Sequence, residues 1–254
     1  MSALLAAQGL SKSFGAVTAA ADINVNVARD SVVGLIGSNG AGKTTFINLV
    51  TGYLKPSTGT IRFDGHDITP LSPRRITQLG ISRSFQVPQL FNSLAVRDNL
   101  LAAVGIVVAA AKRWAHDAIT REHAEGVTDE ILERFGLAAY RDKPAGVLPE
   151  GVRKLLDIAM ALVAKPRILL LDEPTSGVSA DEKFGIMDMV MSAVKSDGVT
   201  VLFVEHDMEI VNRYAQRVLA FYDGRIIADG EPVTVLRDDE VRKYVIGEVI
   251  HVAR

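Results

Sequence analysis

The chain has 254 residues, a formal net charge of −2 and no cysteine. This length fits one large domain, or one domain that carries a subdomain, and hydrophobic residues at 48% suffice for a sizeable core. The lack of cysteine excludes disulfides, thiolate catalysis and Cys-based zinc sites, and makes a reducing cytosol the default compartment. No run of five or six like charges occurs, which argues against a nucleic-acid-binding tail.

Two apolar segments bear on targeting and on membrane insertion. The N-terminal stretch MSALLAAQGLSKSFG has no basic region, and its apolar run is too short for an export signal. The longest apolar run, LLAAVGIVVAAA at residues 100–111, is about twelve residues long, whereas a bilayer requires ~20. We therefore expect a chain that does not cross a membrane but that can dock to a membrane protein.

In the first third of the chain, strand patterns flank a glycine-rich turn. The stretch ADINVNV alternates apolar and polar residues, with Ile23, Val25 and Val27 on one face, as in a half-buried strand. The continuous apolar run VVGLI at residues 32–36 is typical of a strand covered on both faces. After the turn, TTFINLVTGYL has helical spacing, and GTIRFDG is a further alternating strand. The alternating strands predict an antiparallel layer beside a main sheet.

The rest of the chain returns to alternating strands and helices after a helical stretch. Helical patterns dominate from residue 72 to about residue 139, which predicts an inserted helical subdomain. Strand patterns return at RILLLDEP and VTVLFVEHD, and the helix between them has Ile186, Val190 and Val194 on one stripe and methionines that we interpret as core filler. RVLAFYDGRIIADG predicts a hairpin with an Asp-Gly turn. This alternation predicts an α/β fold with a mostly parallel sheet.

The glycine-rich turn GSNGAGKTT has the spacing G-x-x-x-x-G-K-[ST] between a buried strand and a helix. Its residues are Gly37, Ser38, Asn39, Gly40, Ala41, Gly42, Lys43, Thr44 and Thr45. The glycines let the backbone curl so that N–H groups point at phosphate oxygens, and the helix adds the positive end of its dipole. Lys43 can reach the β- and γ-phosphates, and the Thr44 hydroxyl can ligate Mg²⁺. This context favours a nucleoside triphosphate site over a glycine-rich turn without a ligand.

Two adjacent carboxylates follow the buried strand pattern ILLL. Open α/β sheets bind ligands at the carboxyl edge of their strands, where Asp172 and Glu173 are expected. Asp172 is placed to hold Mg²⁺ through water, and Glu173 is the natural base or water-positioning residue for attack on the γ-phosphate. His206 ends the next strand at the same edge, and we interpret it as a phosphate contact rather than as a structural histidine. The alternative for the acidic pair is a solvated turn.

Five ordered motifs together resemble the ATP-binding subunit of ABC transporters. They are the phosphate loop, Gln86 in RSFQVPQLF, the loop and helix LPEGVRKLLDIAMAL, the strand and turn LLLDEPTSG, and VEHD. The resemblance covers essentially the whole chain and implies the ABC ATPase form of the α/β P-loop NTPase fold. It implies one ATP-binding domain, with a core and β layer at about residues 1–71 and 165–254 and a helical signature subdomain at about residues 72–164.

The resemblance also implies cofactors and residue roles. ATP and Mg²⁺ are the implied cofactors. Phe14 in KSFG would stack on adenine, and Gln86 would touch Mg²⁺ and the attacking water. Residues 176–179 would form a loop that contacts a partner subunit, and His206 would be the switch histidine.

The likeness narrows to branched-chain amino acid importers, and within them to the longer of the two ATPase subunits. It rests on a helical insertion around residues 100–125, the phrase LFNSLAVRDNLLAA and the tail DDEVRKYVIGE. Importers of urea, amides or aromatic acids share these traits. The implied partners are a second ATPase subunit (a paralogue or a second copy), transmembrane permease subunits and, indirectly, a periplasmic solute-binding protein, with no nucleic acid. The implied location is cytoplasmic, peripheral on the inner face of the cell membrane.

The signature loop departs from the usual Leu-Ser-Gly-Gly-Gln. In this family the signature closes over the ATP held by the partner subunit. Here the loop consists of Leu148, Pro149, Glu150, Gly151 and Val152, so a hydroxyl donor is missing and a negative charge is added. Proline also has no N–H to offer. We expect an asymmetric pair, in which this chain hydrolyses ATP against the partner's signature while the site closed by LPEGV is slow or structural.

Two further features admit more than one interpretation. Arg153 and Lys154 stand at the start of the signature helix, either near the partner's triphosphate or facing solvent. The apolar run at residues 100–111 is either part of the subdomain core or the lining of a groove for a permease helix. A third interpretation is shallow contact with lipid headgroups through the residues that follow the run, Lys112, Arg113 and Trp114.

Two other functions compete with the importer. One is a cytosolic ABC ATPase of repair or translation type, which usually carries two cassettes or a long coiled-coil insertion. The other is an interaction module that binds ATP but rarely hydrolyses it, which the poor signature favours and the intact Glu173 and His206 oppose.

Overall fold

The computed structural model describes residues 3–111 and 121–247. Two compact units divide the chain. The first unit comprises Met1–Leu79 with Thr200–Arg254, and the second comprises Gly80–Val199. The boundaries predicted near residues 72 and 164 for a signature subdomain stay a prediction.

The regular elements of the described residues alternate along much of the chain. The strands are β1 (Leu5–Phe14), β2 (Val17–Val27), β3 (Val32–Gly37), β4 (Thr58–Phe63), β5 (His66–Asp67), β6 (Ile81–Arg83), β7 (Ile168–Asp172), β8 (Thr200–Val204), β9 (Arg217–Tyr222) and β10 (Arg225–Gly230). The helices are α1 (Lys43–Val50), α2 (Pro73–Gln78), α3 (Val96–Ala111), α4 (Arg121–Arg134), α5 (Glu150–Leu162), α6 (Ala180–Ser196), α7 (Met208–Tyr214), α8 (Pro232–Val235) and α9 (Asp239–Val241). Short 3₁₀ turns at Ala138–Tyr140 and Ala145–Val147, and a π-helical turn at Arg242–Ile246, complete the set.

An antiparallel sheet with the order β2-β1-β4-β5 forms one layer of the first unit, as the alternating strand patterns predict. Ile23, Val25 and Val27 of β2 are buried, which confirms the predicted inner face. The sequence did not indicate β1, although Leu5 and Leu10 of this strand are fully buried. The pairing of β1 shifts register between Ala7 and Leu10, so apolar and polar residues do not alternate regularly there.

The other strands of the first unit run in the order β10-β9-β3-β8. Strand β3 is parallel to both β8 and β9, whereas β9 and β10 form the predicted antiparallel hairpin. Asp223 and Gly224 in its turn have φ values of 47° and 74°, the pair of positive angles that a tight two-residue hairpin favours. Because β3 is buried almost throughout, the loop that follows it emerges from a rigid strand.

The second unit contains a parallel pair of strands and most of the longer helices. Strand β6 pairs in parallel with β7, with Ile81 opposite Ile168, and all five residues of β7 are buried. Strand β6 is a three-residue strand within the stretch where helical patterns dominate. In α6 the predicted stripe is buried together with Met187, which supports the interpretation of this methionine as core filler.

The long apolar run at residues 100–111 lies within α3. Leu100 and Val104 are buried, whereas Ile106 is exposed, so the described side chains favour the core interpretation of this segment. Lys112, Arg113 and Trp114, which were considered for lipid contact, lie outside the described residues. In the part of the chain that the structure describes, no helix combines the length and apolar character needed to cross a membrane.

Candidate nucleotide-binding site

The phosphate loop joins β3 to α1 and has a backbone shape that requires glycine. Gly40 and Gly42 have φ values of 80° and 107°, a region that side-chain-bearing residues rarely adopt. A Cβ atom on Gly42 would lie 2.8 Å from the backbone oxygen of Ala19. The loop therefore has both the curl and the close packing that the sequence motif predicts.

Lys43 is buried at the start of α1, and its side chain turns back across the loop. Its Nζ donates to the backbone oxygens of Gly37 at 2.6 Å and Ser38 at 3.0 Å. A buried ammonium requires such acceptors, because an unpaired buried charge is costly. Phosphate oxygens are stronger, charged acceptors than peptide carbonyls, so an anion in the loop would compete well for this ammonium.

Helix α1 directs its positive end at the loop. Its first turn carries no acidic side chain, so nothing on the helix itself offsets the partial positive charge there. Phe46 and Ile47 are fully buried and fix the helix in place, while Thr44 is exposed at its start and Thr45 is half-buried. The hydroxyl of Thr44 is thus available to a ligand, as the motif predicts.

The turn of the β9–β10 hairpin is hydrogen-bonded to the phosphate loop. The backbone N–H of Gly224 donates to the oxygen of Ala41 at 3.0 Å, and the oxygen of Gly224 accepts from the N–H of Ala21 at 2.8 Å. One turn residue therefore links the phosphate loop to β2. A Cβ atom on Gly224 would lie 3.2 Å from the Ala19 carbonyl, so this contact also depends on glycine.

His206 follows β8, the parallel neighbour of β3. Val204 pairs with Leu35, and the N–H of Glu205 donates to the Leu35 oxygen at 3.4 Å, so β8 and β3 end at the same edge of the sheet. The loop after β3 is the phosphate loop, and the residue after Glu205 is His206, which is exposed. The carboxylate of Asp207 then caps α7 by accepting from two backbone N–H groups. His206 therefore follows β8 at the edge of the first unit where the phosphate loop begins, and its role as a phosphate contact stays a prediction.

Phe14, the predicted adenine-stacking residue, ends β1 and is half exposed, at 50%. The Nζ of Lys12 lies 5.1 Å from the centre of its ring. An exposed aromatic ring with a cation beside it can stack on a purine base, and this role of Phe14 stays a prediction.

In the second unit, Asp172 ends β7 and forms a buried ion pair. Its Oδ2 accepts from Nη2 of Arg83 on the neighbouring β6 at 2.6 Å. Both side chains are about nine-tenths buried. The carboxylate predicted to hold Mg²⁺ is therefore oriented by a guanidinium that the sequence analysis did not single out.

Glu173 has an unusual backbone and a defined side-chain partner. Its φ value is 51°, in the left-handed region that is unfavourable for residues other than glycine. Its Oε2 accepts from Nε2 of Gln86 at 2.8 Å. The structure thus brings together two of the three residues that were predicted to be catalytic, through a direct hydrogen bond.

Lys154 is not placed as either sequence-based interpretation expected. The side chain is buried, at 4% exposure, and so neither faces solvent nor projects toward a partner's nucleotide. Its Nζ donates to the backbone oxygen of Glu173 at 2.7 Å, to Oγ of Ser176 at 2.8 Å and to the backbone oxygen of Gln86 at 3.5 Å. The neighbouring Arg153 is partly exposed, with its Nε 3.7 Å from Oε2 of Glu150.

Asp157, one turn further along α5, holds the segment that contains Gln86. Its two carboxylate oxygens accept from the N–H groups of Phe85 at 3.1 Å and Gln89 at 2.9 Å. Burial raises the pKa of Asp157, and the two N–H donors and the charge of Lys154 oppose this effect. Sequence reasoning singled out Lys154 but not its buried contacts, and it missed Asp157. The sequence signal that could have found them is a pair of opposite charges three residues apart, in a helix whose neighbouring residues are apolar.

The signature loop leads directly into α5. Leu148 is buried, Pro149 and Glu150 are exposed, and Gly151 and Val152 are half-buried. Pro149 caps the helix without any side-chain hydrogen bond, and Glu150 is its first residue. The expected loop followed by a helix is confirmed, and the helix start presents a carboxylate where the usual sequence has glycine.

Comparisons with known proteins agree on one family. The ABC transporter family matches residues 20–176. BraF of Pseudomonas aeruginosa, a high-affinity branched-chain amino acid transport ATP-binding protein, is 34% identical over 96% of this chain and 98% of its own length. LivG of Archaeoglobus fulgidus, a probable branched-chain amino acid transport ATP-binding protein, is 34% identical over 96% of this chain and 95% of its own length. The chain belongs to the ABC transporter family.

The solved structures support the same conclusion about the fold. The crystal structure of the ADP conformation of an ATP-binding cassette of an ABC transporter is 32% identical, covers 98% of this chain and all of its own, and superposes with a TM-score of 0.85. The predicted ABC ATPase fold is therefore confirmed. As an ATP-binding subunit of this family, the chain is an ATPase.

The structure gives each predicted residue of the ABC cassette a defined place within its own unit. The first unit carries the phosphate loop, Phe14 and His206, and the second carries Gln86, Asp172, Glu173 and the signature loop. Residues 176–179, the predicted partner-contacting loop, form a turn in which the N–H of Ser176 donates to the Glu173 oxygen at 3.1 Å. The catalytic and binding roles of these residues stay predictions.

Proposed function

We propose that this chain is the ATPase subunit of an importer for branched-chain amino acids or a related small solute. The observation that carries the proposal is the similarity to BraF and LivG over nearly the whole length of all three chains. Both relatives are named for the transport of branched-chain amino acids, and the sequence traits that resemble the same subfamily support the proposal. Transport is driven by ATP-dependent pairing with a partner ATPase subunit.

The phosphate loop binds the nucleotide. Lys43 contacts the β- and γ-phosphates, and the curled backbone from Gly37 to Gly42 donates N–H groups to them. Mg²⁺ supplies charge neutralisation on the β- and γ-phosphates when it is bound. The hydroxyl of Thr44, the amide of Gln86 and the carboxylate of Asp172 would hold it, and hard oxygen ligands of this kind suit Mg²⁺.

Glu173, Gln86 and His206 carry the chemistry in this proposal. Glu173 orients and deprotonates the attacking water, Gln86 contacts that water and the metal ion, and His206 contacts the γ-phosphate. The hydrogen bond from Gln86 engages one of the two carboxylate oxygens of Glu173. A carboxylate offers several acceptor sites, so Gln86 and the attacking water can be bound to it together.

The partner ATPase subunit, a paralogue or a second copy, completes the active assembly. Each signature loop closes over the nucleotide held by the other subunit. The exposed carboxylate of Glu150 repels a triphosphate, and Pro149 offers it no N–H, so the site that LPEGV closes is the weaker of the two. Glu173 of this chain belongs to the other, active site.

An apolar surface of the second unit is our candidate for docking a permease helix. Val87, Phe91 and Val147 are large apolar residues with exposures of 68%, 51% and 73%. The N–H of Gly146 donates to the oxygen of Asn92 at 2.9 Å, which brings the segment of Val147 beside that of Phe91. A short amphipathic helix of a transmembrane subunit fits such a surface, and this contact would hold the chain at the inner face of the membrane. A periplasmic binding protein would deliver the solute to that subunit.

Uptake by living cells tests the proposal. The gene is deleted in its own host and restored as wild type, Lys43→Ala or the exposed-lysine control Lys195→Met. We expect wild type and Lys195→Met to restore uptake of radiolabelled leucine, isoleucine and valine, and Lys43→Ala to leave it at the level of the deletion.

Uptake of urea, amides and aromatic acids is measured in the same strains. Loss of one of these uptakes instead would move the proposal to a related solute. Unchanged uptake of every solute in the deletion strain would overturn the importer proposal.

A further inference from the structure

A buried lysine of the signature helix supports the backbone of the candidate catalytic residue. The backbone of Glu173 adopts a left-handed conformation that a residue with a side chain disfavours, and it persists only if its surroundings enforce it. Two donors converge on the Glu173 oxygen: Nζ of Lys154 at 2.7 Å and the N–H of Ser176 at 3.1 Å. The bond from Lys154 is the charged one and therefore the stronger.

The same ammonium also reaches the two segments on either side of the Glu173 side chain. It donates to Oγ of Ser176 at 2.8 Å and, more weakly, to the backbone oxygen of Gln86 at 3.5 Å. Gln86 in turn donates to the Glu173 carboxylate at 2.8 Å. Lys154 therefore contacts the backbone of both Gln86 and Glu173, whose side chains are hydrogen-bonded to each other.

Asp157 provides a second anchor from the same helix. Its carboxylate accepts from the N–H groups of Phe85 and Gln89, the residues on either side of the segment that contains Gln86. Lys154 and Asp157 are three residues apart, so they project from neighbouring positions on one face of α5. The helix thus fixes this segment at both ends and fixes Glu173 at its carbonyl.

We propose that Lys154 is a positioning residue for ATP hydrolysis, which holds Glu173 in its left-handed backbone conformation so that the carboxylate faces Gln86 and the attacking water. The proposal rests on the proposed catalytic role of Glu173. Lys154 touches neither the nucleotide nor the water in this role. It acts by fixing the backbone carbonyl of Glu173, and with it the direction in which the Glu173 side chain leaves the backbone.

A merely structural role for Lys154 makes a different prediction. If Lys154 only stabilised the fold, its replacement would lower thermal stability and would affect ATP binding and hydrolysis alike. A positioning role lowers kcat and leaves the KM for ATP nearly unchanged, because the phosphate loop that binds the nucleotide belongs to the other unit of the chain.

The experiment compares the ATPase rate of the transporter complex isolated through a tag on this chain. The variants are Lys154→Met, Lys154→Arg, Glu173→Gln and the control Lys195→Met, an exposed lysine of α6 in the same unit. We expect Lys154→Met to reduce kcat by about tenfold to a hundredfold, the effect of one lost charge-assisted hydrogen bond, with KM within about twofold of wild type. Lys154→Arg should recover part of kcat, and Lys195→Met should match wild type.

Hydrogen exchange of the backbone gives an independent readout on the same samples. We expect faster exchange at Ser176 in Lys154→Met, because the turn after Glu173 loses its charged anchor, and little change in the phosphate loop. If Lys154→Met does not fold, Ser176→Ala removes one acceptor of the ammonium and should show the same pattern with a smaller loss of kcat, about threefold.

The outcomes separate this inference from the proposed function. If Glu173→Gln retains wild-type turnover, the proposed role of Glu173 is wrong. If Glu173→Gln abolishes turnover while Lys154→Met keeps wild-type kcat and exchange, the positioning role is overturned and the role of Glu173 stands. A parallel change in KM and kcat in Lys154→Met, with no recovery by Lys154→Arg, would also overturn it.

Discussion

At the scale of single residues, Lys43 has the most direct consequence for nucleotide affinity. Its ammonium is already held inside the loop by two carbonyls. We expect Lys43→Ala to weaken ATP binding by about tenfold to a hundredfold, because one charge-assisted hydrogen bond of about 1.5–3 kcal/mol is lost. Calorimetric titration of the purified chain measures the Kd, with Lys195→Met as control. An unchanged Kd would contradict the assignment of the phosphate loop.

Asp157 should give the chain a pH-dependent stability term of unusual sign. Burial raises its pKa in the folded state above the ordinary value of 3.8. Between 3.8 and the raised pKa, the folded state therefore binds more protons than the unfolded state. The contribution of Asp157 to stability is consequently greatest below pH 3.8 and declines as the pH rises through the folded pKa.

Asp157→Asn isolates this term. The free energy of unfolding is measured by urea denaturation for wild type and variant between about pH 3.5 and 7, and the variant is subtracted from the wild type. We expect the difference to fall with rising pH and then to level off above the folded pKa of Asp157. A difference that rises with pH would show that the hydrogen bonds from Phe85 and Gln89 outweigh burial.

Residue-scale prediction from the sequence located residues correctly where a motif carries its own context. The phosphate loop lies between a strand and a helix, and Asp172 ends a strand, as spacing and flanking residues predict, while their chemical roles stay predictions. The burial of Lys154 was not predicted, because a charged residue is rarely buried unless it is paired. Its partners lie near residues 86, 173 and 176, and only the folded chain brings them together.

At the scale of elements, the turn of the β9–β10 hairpin should influence nucleotide affinity. Gly224 has a φ value of 74° and links Ala41 of the phosphate loop to Ala21 of β2. A Cβ atom there meets the backbone of Ala19 at 3.2 Å, so Gly224→Ala must displace the turn or the strand behind the loop. We expect ATP affinity to fall several-fold, by about 1 kcal/mol, as measured by calorimetry.

The Asp64–Gly65 turn offers a matched control for this change. Gly65 has a similar φ value of 78°, in a turn of the same composition, but a Cβ atom on it would meet nothing within 4 Å. Gly65→Ala therefore carries the same backbone strain without the steric displacement. We expect it to lower stability and to leave ATP affinity unchanged. Equal losses of affinity in both variants would show that backbone strain alone, and not displacement of the Gly224 turn, is responsible.

The start of α5 should respond to restoration of the signature. Pro149→Ser with Glu150→Gly supplies a hydroxyl and an N–H and removes a negative charge that faces the partner's nucleotide in the proposed pair. We expect the total ATPase rate of the complex to rise by up to about twofold, because a restored second site at most matches the site that already turns over. Steady-state phosphate release measures the rate. An unchanged rate would show that the LPEGV site already turns over at its limit.

Elements with regular patterns were predictable from the sequence, and irregular ones were not. Strands β2 and β3 and the β9–β10 hairpin follow from alternation, burial and an Asp-Gly turn. Strand β1 did not, because its register shifts at Gly9 and beyond break the two-residue period. Strand β6 has only three residues, too few for a pattern to show.

At the scale of the whole molecule, the two sites of the proposed ATPase pair should be unequal. Glu173→Gln in this chain and the corresponding change in the partner are made separately. We expect the first to remove most of the ATPase activity of the complex and the second to remove little, because this chain's carboxylate acts against the partner's signature. If Glu173→Gln leaves most turnover intact, the asymmetry is assigned backwards. Substantial activity of this chain alone would show that the departures in LPEGV are tolerated.

The order of the motifs along the chain was enough to predict the fold class and the family, because each motif fixes one strand end or one helix start. The identity of the transported solute does not follow from these residues. Every predicted site residue is assigned to the nucleotide, the metal ion or another ATPase subunit, and none is assigned to a solute.

The position of Lys154 along α5 has a mechanical consequence for the pair. Glu150 and Lys154 are four positions apart, about 6 Å along a rigid rod. In the proposed pair, Glu150 belongs to the helix end that faces the partner's nucleotide, and Lys154 donates to the carbonyl of the water-activating residue of this chain. Because one rigid helix carries both residues, a displacement of its start by the partner would also displace the lysine that supports Glu173.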